Sequence, residues 1–198
     1  MRISRHGIGL CSFAACAAML YIAAGAAGQA PPAPTSHSQV QVSPAQELQW
    51  KTYSYPADGF SASFPFEPEQ FRKDIESASG SYELRSYMTE DDRVALYIGV
   101  CDYGTKSNGE SQETLLHSAE QGALKNSNSR LVSEQAITLG IYHGLEFHAE
   151  NDSTAISARL YIVGGTLYQT LVVTHQGHPY PEMTRFLNSF QLIARTAQ

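Results

Sequence analysis

An antiparallel sheet with helices packed on it, an α+β domain, is the architecture predicted for residues 48–198. Three features lead there. Short stretches of alternating apolar and polar residues recur along the chain with turn residues between them. Only two stretches switch to a helical period, and both come late. Neither is preceded by a glycine-rich phosphate loop, so a strand–helix–strand nucleotide unit has no support.

Trp50 to Tyr55 and Phe60 to Phe64 read as two short strands joined by Pro56-Ala57-Asp58-Gly59, a turn signal, and Pro65 and Pro68 stop the second. Tyr82 to Met88 and Val94 to Cys101 flank Thr89-Glu90-Asp91-Asp92, a charged hairpin tip. In the second of these, Val94, Leu96, Ile98 and Val100 share one face and Ala95, Tyr97, Gly99 and Cys101 the other. Both faces are apolar enough to place this strand centrally. From Asn108 to Asn126 the period is helical. Leu115, Leu116, Ala119, Ala123 and Leu124 form a stripe, Glu113, Glu120 and Lys125 are assigned outside it, and Ser107, Asn108 or Ser111 is available as the cap. Strands follow at Leu131 to Leu139, Leu145 to Glu150 and Ala155 to Val163, then a Gly164-Gly165 turn into Thr166 to His175. Pro181 opens a last helix, with Met183, Phe186, Leu187 and Phe190 spaced i, i+3, i+4, i+7. No internal repeat is visible.

The first 30 residues belong to a different class. Arg2 and Arg5 precede an uncharged run from Gly7 to Gly28, and small residues follow at Ala24-Gly25-Ala26 and Gly28-Gln29-Ala30. Positive start, apolar middle and small-residue end describe a secretory signal peptide over residues 1–30. Two other readings stay open. The run is long enough for an uncleaved anchor, although its Ala and Gly content is weak for that use. Phe13-Ala14-Ala15-Cys16 could be a lipid-attachment site, against which the apolar run continues well past Cys16. Residues 31–47, rich in Pro, Ser and Gln, read as a flexible linker.

Removing residues 1–30 takes away two arginines and no acids, so the net charge moves from −6 to −8 over 168 residues. An acidic chain without a Lys/Arg cluster is a poor nucleic-acid binder, because neutralising phosphates needs a basic patch. Contact with a membrane is expected only through the N-terminal segment, if it is not cleaved. Cys11 and Cys16 leave with the signal, so Cys101 alone remains; an exported domain with one cysteine must be held by its core. With 42% hydrophobic and 16% charged residues, wholesale disorder is excluded.

Tyr55-Pro-Ala-Asp-Gly-Phe-Ser-Ala-Ser-Phe-Pro65 resembles the opening of PsbP-like domains, a Gly-Phe strand ended by Phe-Pro. Arg159-Leu-Tyr-Ile-Val-Gly-Gly-Thr-Leu-Tyr-Gln-Thr-Leu-Val-Val173 and Phe186-Leu-Asn-Ser-Phe190 are similar to that family's closing hairpin and helix. The likeness spans roughly residues 48–193. It implies an αβα sandwich around an antiparallel sheet, as in PsbP and the DcrB-type bacterial lipoproteins. It also implies a non-enzymatic role, since members serve as photosystem accessory subunits, assembly factors or partner-binding modules. No functional residue of the family maps onto a motif here, and fold likeness alone does not license function.

Candidate chemistry is sparse. In Glu146-x-His148-x-Glu150 the three side chains share one strand face, about 6.5–7 Å apart, a spacing from which two can converge on a cation. If the loop spans Asn151 to Thr154, however, Glu150 faces Ala155, His148 faces Ser157 and Glu146 faces Arg159, giving a cross-strand ion pair on a wet face. His175-x-x-His178, with His143 placed in a turn, could bring three imidazoles to Zn or Cu; loop histidines without a role are the plainer reading. Cys101 lacks a protease signature and reads as a small apolar filler. Gly59-Phe60-Ser61-Ala62-Ser63 lacks the last glycine of a nucleophile elbow. Glu90-Asp91-Asp92 lacks the alternating ligands of a calcium loop. Ten tyrosines lie beyond residue 30, among them Tyr161 and Tyr168, which face each other across the Gly164-Gly165 turn; half-buried rings suit both strands and contact surfaces. No catalytic, cofactor-binding or metal-binding residue is therefore assigned. The expectation is an exported, periplasmic or secreted, non-catalytic module that binds another protein of the bacterial cell envelope, the alternative being a metal- or small-ligand-binding domain.

Overall fold

The computed structural model describes residues 49–77, 80–104 and 109–195. The expected signal segment with Cys11 and Cys16, the expected linker, and the cap candidates Ser107 and Asn108 lie outside these residues. In chain order the elements are β1 (Lys51–Tyr55), β2 (Phe60–Phe64), β3 (Glu69–Ser77), β4 (Gly80–Glu90), β5 (Val94–Asp102), α1 (Gln112–Ser127), β6 (Arg130–Leu139), β7 (Tyr142–Glu150), β8 (Thr154–Val163), β9 (Thr166–His175), α2 (Met183–Ser189) and β10 (Gln191–Leu192). They form a seven-stranded sheet in the order β3-β4-β5-β9-β8-β7-β6 and a three-stranded sheet in the order β1-β2-β10. The expected α+β class is the one observed.

Alternation along the central strands builds two cores, one on each face of the large sheet. Ala95, Cys101, Phe147, Ala158, Leu160 and Leu167 point to the face covered by α1, where Leu115, Leu116, Ala119 and Ala123 meet them. Leu96, Ile98, Val100, Tyr161, Tyr168 and Val172 point to the opposite face, covered by the small sheet and α2 through Phe60, Phe64, Phe186 and Phe190. Helix α1 thus lies on one face, while α2 shares the other with three short strands. The central position expected for Val94 to Cys101 is realised, since β5 has β4 on one side and β9 on the other.

Pairing agrees with the sequence at both hairpins where a register was assigned. Glu150 faces Ala155, His148 faces Ser157 and Glu146 faces Arg159. Tyr161 faces Tyr168 across the two-residue Gly164-Gly165 turn, whose glycines both have positive φ. Ser111 is the cap of α1, its Oγ accepting the Thr114 N–H at 3.1 Å, and Asn128 ends the helix in the left-handed region at φ 50°.

Four expectations need correction. Residues 69–77 form a strand, β3, that was not expected. Five of its nine residues are charged, and it is an edge strand whose Phe71 is exposed, so no burial pattern marks it. The two-residue β10 is likewise too short for periodicity. His143 lies within β7, because the β6–β7 connection is only Gly140-Ile141. Glu120, assigned outside the helical stripe, is buried with it. It stands four residues after Leu116 and three before Ala123, so helical geometry places it on the packed face despite its charge.

The β1–β2 turn is also more than a turn. The Asp58 carboxylate is buried and accepts hydrogen bonds from Arg85 Nε and Tyr87 Oη on β4, while its carbonyl accepts from Tyr168 Oη at 2.8 Å. These contacts fasten the small sheet to the large one. Burial, and then the Asp58 hydrogen bond, push the Tyr87 phenol well above its ordinary value. Trp50, just before β1, contacts α2 instead, with the Arg185 guanidinium 4.9 Å from its ring centroid.

Candidate functional site: a carboxylate–imidazole cluster and an open sheet edge

Each side chain of the Glu146-x-His148-x-Glu150 pattern already has a protein partner. Glu146 accepts from Arg159 Nε at 2.5 Å and from Gln135 Nε2 at 2.6 Å. Burial alone would raise its pKa, but the Arg159 and Gln135 hydrogen bonds outweigh it and hold the carboxyl below its ordinary value. Glu150 is paired with Arg130 and accepts from Gln176 Nε2 at 2.8 Å. His148 Nδ1 lies 2.9 Å from Ser157 Oγ. A cation entering this face would have to displace two guanidinium groups. The pattern is a cross-strand ion-pair network.

The proposed trio of imidazoles does not assemble. His175 ends β9 beside Thr154, whereas His143 lies next to Gly144, whose partner Tyr161 faces Tyr168. Seven residues of β9 separate these levels, about 23 Å at the rise of a strand. His175 and His178 instead line an open hollow at the other end of the sheet with Asp92, Arg93 and Tyr180. There His175 Nε2 lies 3.2 Å from the Asp92 carbonyl oxygen. Cys101 is fully enclosed in the α1-side core, as expected of an apolar filler. Ser61 is buried in β2. Asp91 accepts from the Arg93 and Val94 N–H groups at 2.8 and 3.0 Å, the geometry of a tight hairpin tip rather than a calcium loop.

Three other side chains do converge. His117 and Glu120 come from consecutive turns of α1, and Glu134 comes from the α1-facing side of β6. His117 Nδ1 lies 3.5 Å from Glu120 Oε2 and 3.8 Å from Glu134 Oε2, and ligand atoms from all three residues lie within 4.8 Å of one another. Glu120 is 1% exposed, and its Oε1 has no hydrogen-bond partner, whereas His117 and Glu134 are 44% and 42% exposed. Burial first, and then the neighbouring Glu134 carboxylate, push the Glu120 pKa above its ordinary value, against the smaller opposing effect of His117. Sequence reasoning missed this cluster. Helical spacing could have joined His117 to Glu120, but only the packing of α1 on the sheet brings Glu134 to them.

The two edges of the seven-stranded sheet differ. β3 is dense with charge: Glu69, Arg72, Lys73, Asp74 and Glu76, the usual protection of a strand edge against added chains. β6 carries only Arg130 and Glu134 in ten residues. Around it lie exposed apolar side chains: Leu131, Val132 at 53% and, in the adjoining turn, Ile141 at 86%. Val132 sits at a register shift between Leu131 and Ser133, after which Ser133 to Leu139 pair continuously with β7 and have no strand on their other side among the described residues.

No family model and no curated protein matches the chain. Among solved structures it is similar to the solution structure of cyanobacterial PsbP (CyanoP) from Synechocystis sp. PCC 6803. The identity is 14% and the TM-score 0.47, over 76% of this chain and 96% of that one. That neighbour is a PsbP, the family that the residue 55–65 and 159–190 motifs resemble. No helix among the described residues is long and apolar enough to cross a membrane.

Proposed function

We propose that this chain is an exported, non-catalytic module that docks on another protein of the bacterial cell envelope, using the β6 edge. The observation that carries the reading is the asymmetry of the sheet edges. A seven-residue run of β6 offers unpaired main-chain groups, flanked by Val132 and Ile141, while β3 is guarded by five charges. An extended segment of a partner can add to such an edge through main-chain hydrogen bonds and cover the exposed apolar side chains. The N-terminal signal pattern followed by a proline-rich linker supports export of a tethered or released domain. The resemblance to PsbP-like domains supports an accessory role. The residues of catalytic type in the sequence motifs are otherwise engaged: Cys101 and Ser61 are packed and Glu146 is held by Arg159.

Site-specific photocrosslinking in cells tests this. A crosslinking residue at position 132 or 141 of the tagged full-length chain should capture one dominant envelope protein. The same residue at Lys73 on β3 should not. With the crosslinking residue at 132, Ile141→Lys should remove the capture, and with it at 141, Val132→Lys should do so, neither lowering the melting temperature, because both side chains are exposed. Equal capture from β3 and β6, or none from β6, would defeat the proposal.

A further inference from the structure

We infer that His117, Glu120 and Glu134 form a binding site for a single first-row divalent cation of the zinc type, with Glu120 as the enclosed anchoring ligand. The argument starts from an orphaned group. Glu120 is 1% exposed, yet neither it nor Glu134 is paired with a lysine or arginine among the described residues; the imidazole of His117 faces them instead. A buried carboxylate normally has a full set of partners, because desolvating its charge is costly unless it is paired. Here Oε1 has none. A bound cation supplies what is missing.

The donor set and geometry suit zinc. One imidazole nitrogen and two carboxylate oxygens are ordinary zinc ligands, and three protein ligands with an open fourth position is a familiar arrangement. Ligands at about 2.0–2.1 Å from a tetrahedral centre lie roughly 3.3 Å from each other. The observed separations from His117 Nδ1, 3.5 and 3.8 Å, need only a small closure. The half-exposed His117 and Glu134 give the ion a path from solvent. Because His117 and Glu120 belong to α1 and Glu134 to β6, the ion would also clamp the edge strand to the helix. The site stands on its own geometry and does not depend on the partner reading.

The test uses the full chain, freed of metal by chelation and titrated with zinc chloride. At free Zn²⁺ a hundredfold above Kd the melting temperature should rise by about 5–10 °C. Glu120→Gln, which keeps the shape and removes the charge, and His117→Ala should each abolish most of that rise. His175→Ala combined with His178→Ala should leave it intact. Cobalt(II) added in place of zinc should give d–d absorption of four-coordinate intensity in the parent and not in Glu120→Gln, a readout that remains if His117→Ala does not fold. The inference is overturned if the parent shows no shift, if the shift survives in Glu120→Gln, or if it disappears with His175 and His178.

Discussion

Replacing Asp58 with alanine should cut the strongest polar tie between the two sheets. The Asp58 side chain is 5% exposed and that of Arg85 15%, so this is an enclosed ion pair, and removing one partner of such a pair destabilises by about 3–5 kcal/mol. Arg85 would keep a second acid, Glu83, at 3.0 Å, which moves the expectation to the lower end of that range. Tyr87 Oη would lose its acceptor as well, at about 1 kcal/mol or more for a buried hydroxyl. The combined loss is about 3–4 kcal/mol, or roughly 6–16 °C in melting temperature for a domain of this size. Thermal and urea unfolding of Asp58→Ala, Arg85→Met and the double variant give the loss and its pairwise part. If the geometry is right, the double variant is less damaged than the two single losses added together. A loss below about 1 kcal/mol for Asp58→Ala, or strict additivity in the double variant, would refute the reasoning, because it would mean that the carboxylate is solvated rather than enclosed.

Further outcomes follow from other contacts. Phe190→Ala removes a ring that is 3% exposed and packs 5.7 Å from Phe60 and 6.0 Å from Tyr161; a loss of about 3–5 kcal/mol is expected in urea unfolding. Glu120→Gln should stabilise the metal-free protein at neutral pH by about 1 kcal/mol, since it replaces a buried carboxyl whose Oε1 has no hydrogen-bond partner among the described residues. Among the shifted carboxyls, those of Glu146 and Glu120 act oppositely with pH. The Glu146 pKa is lowered in the fold, so its contribution is present above the unfolded value and is lost as pH falls through the folded value. That of Glu120 is raised, so the folded state holds the extra proton and stability declines as pH rises from the unfolded value through the folded one. Melting temperatures across pH should therefore fall less steeply on the acid side in Glu146→Gln, where the lowered Asp91 carboxyl still contributes, and decline less above the carboxylate range in Glu120→Gln. Cys101 should resist thiol reagents in the native protein and react only on unfolding, as peptide mass analysis would show.

How much was legible in the sequence depended on whether the information was local. Alternation within β5, the Gly164-Gly165 turn and the helical period around Leu115 are each contained in a few residues, and so is the register that sets Glu146 opposite Arg159, because a short hairpin loop leaves little freedom. Edge strand β3 escaped because a strand with one neighbour and solvent on its surfaces carries no burial pattern. Glu120 was misjudged because its residue type outweighed its position on the stripe. The meeting of Glu134 with His117, and of Asp58 with Arg85 and Tyr87, joins residues brought together only by layer packing. Nothing in the local chain encodes which face of the large sheet α1 covers or where the β1–β2 turn lands. The sequence by itself determined the central strands, the two helices and the registers of the two hairpins around β8, since these arise from nearest-neighbour geometry. The tertiary structure alone decided which charges are buried and which edge is left open, since both depend on what the other layers cover.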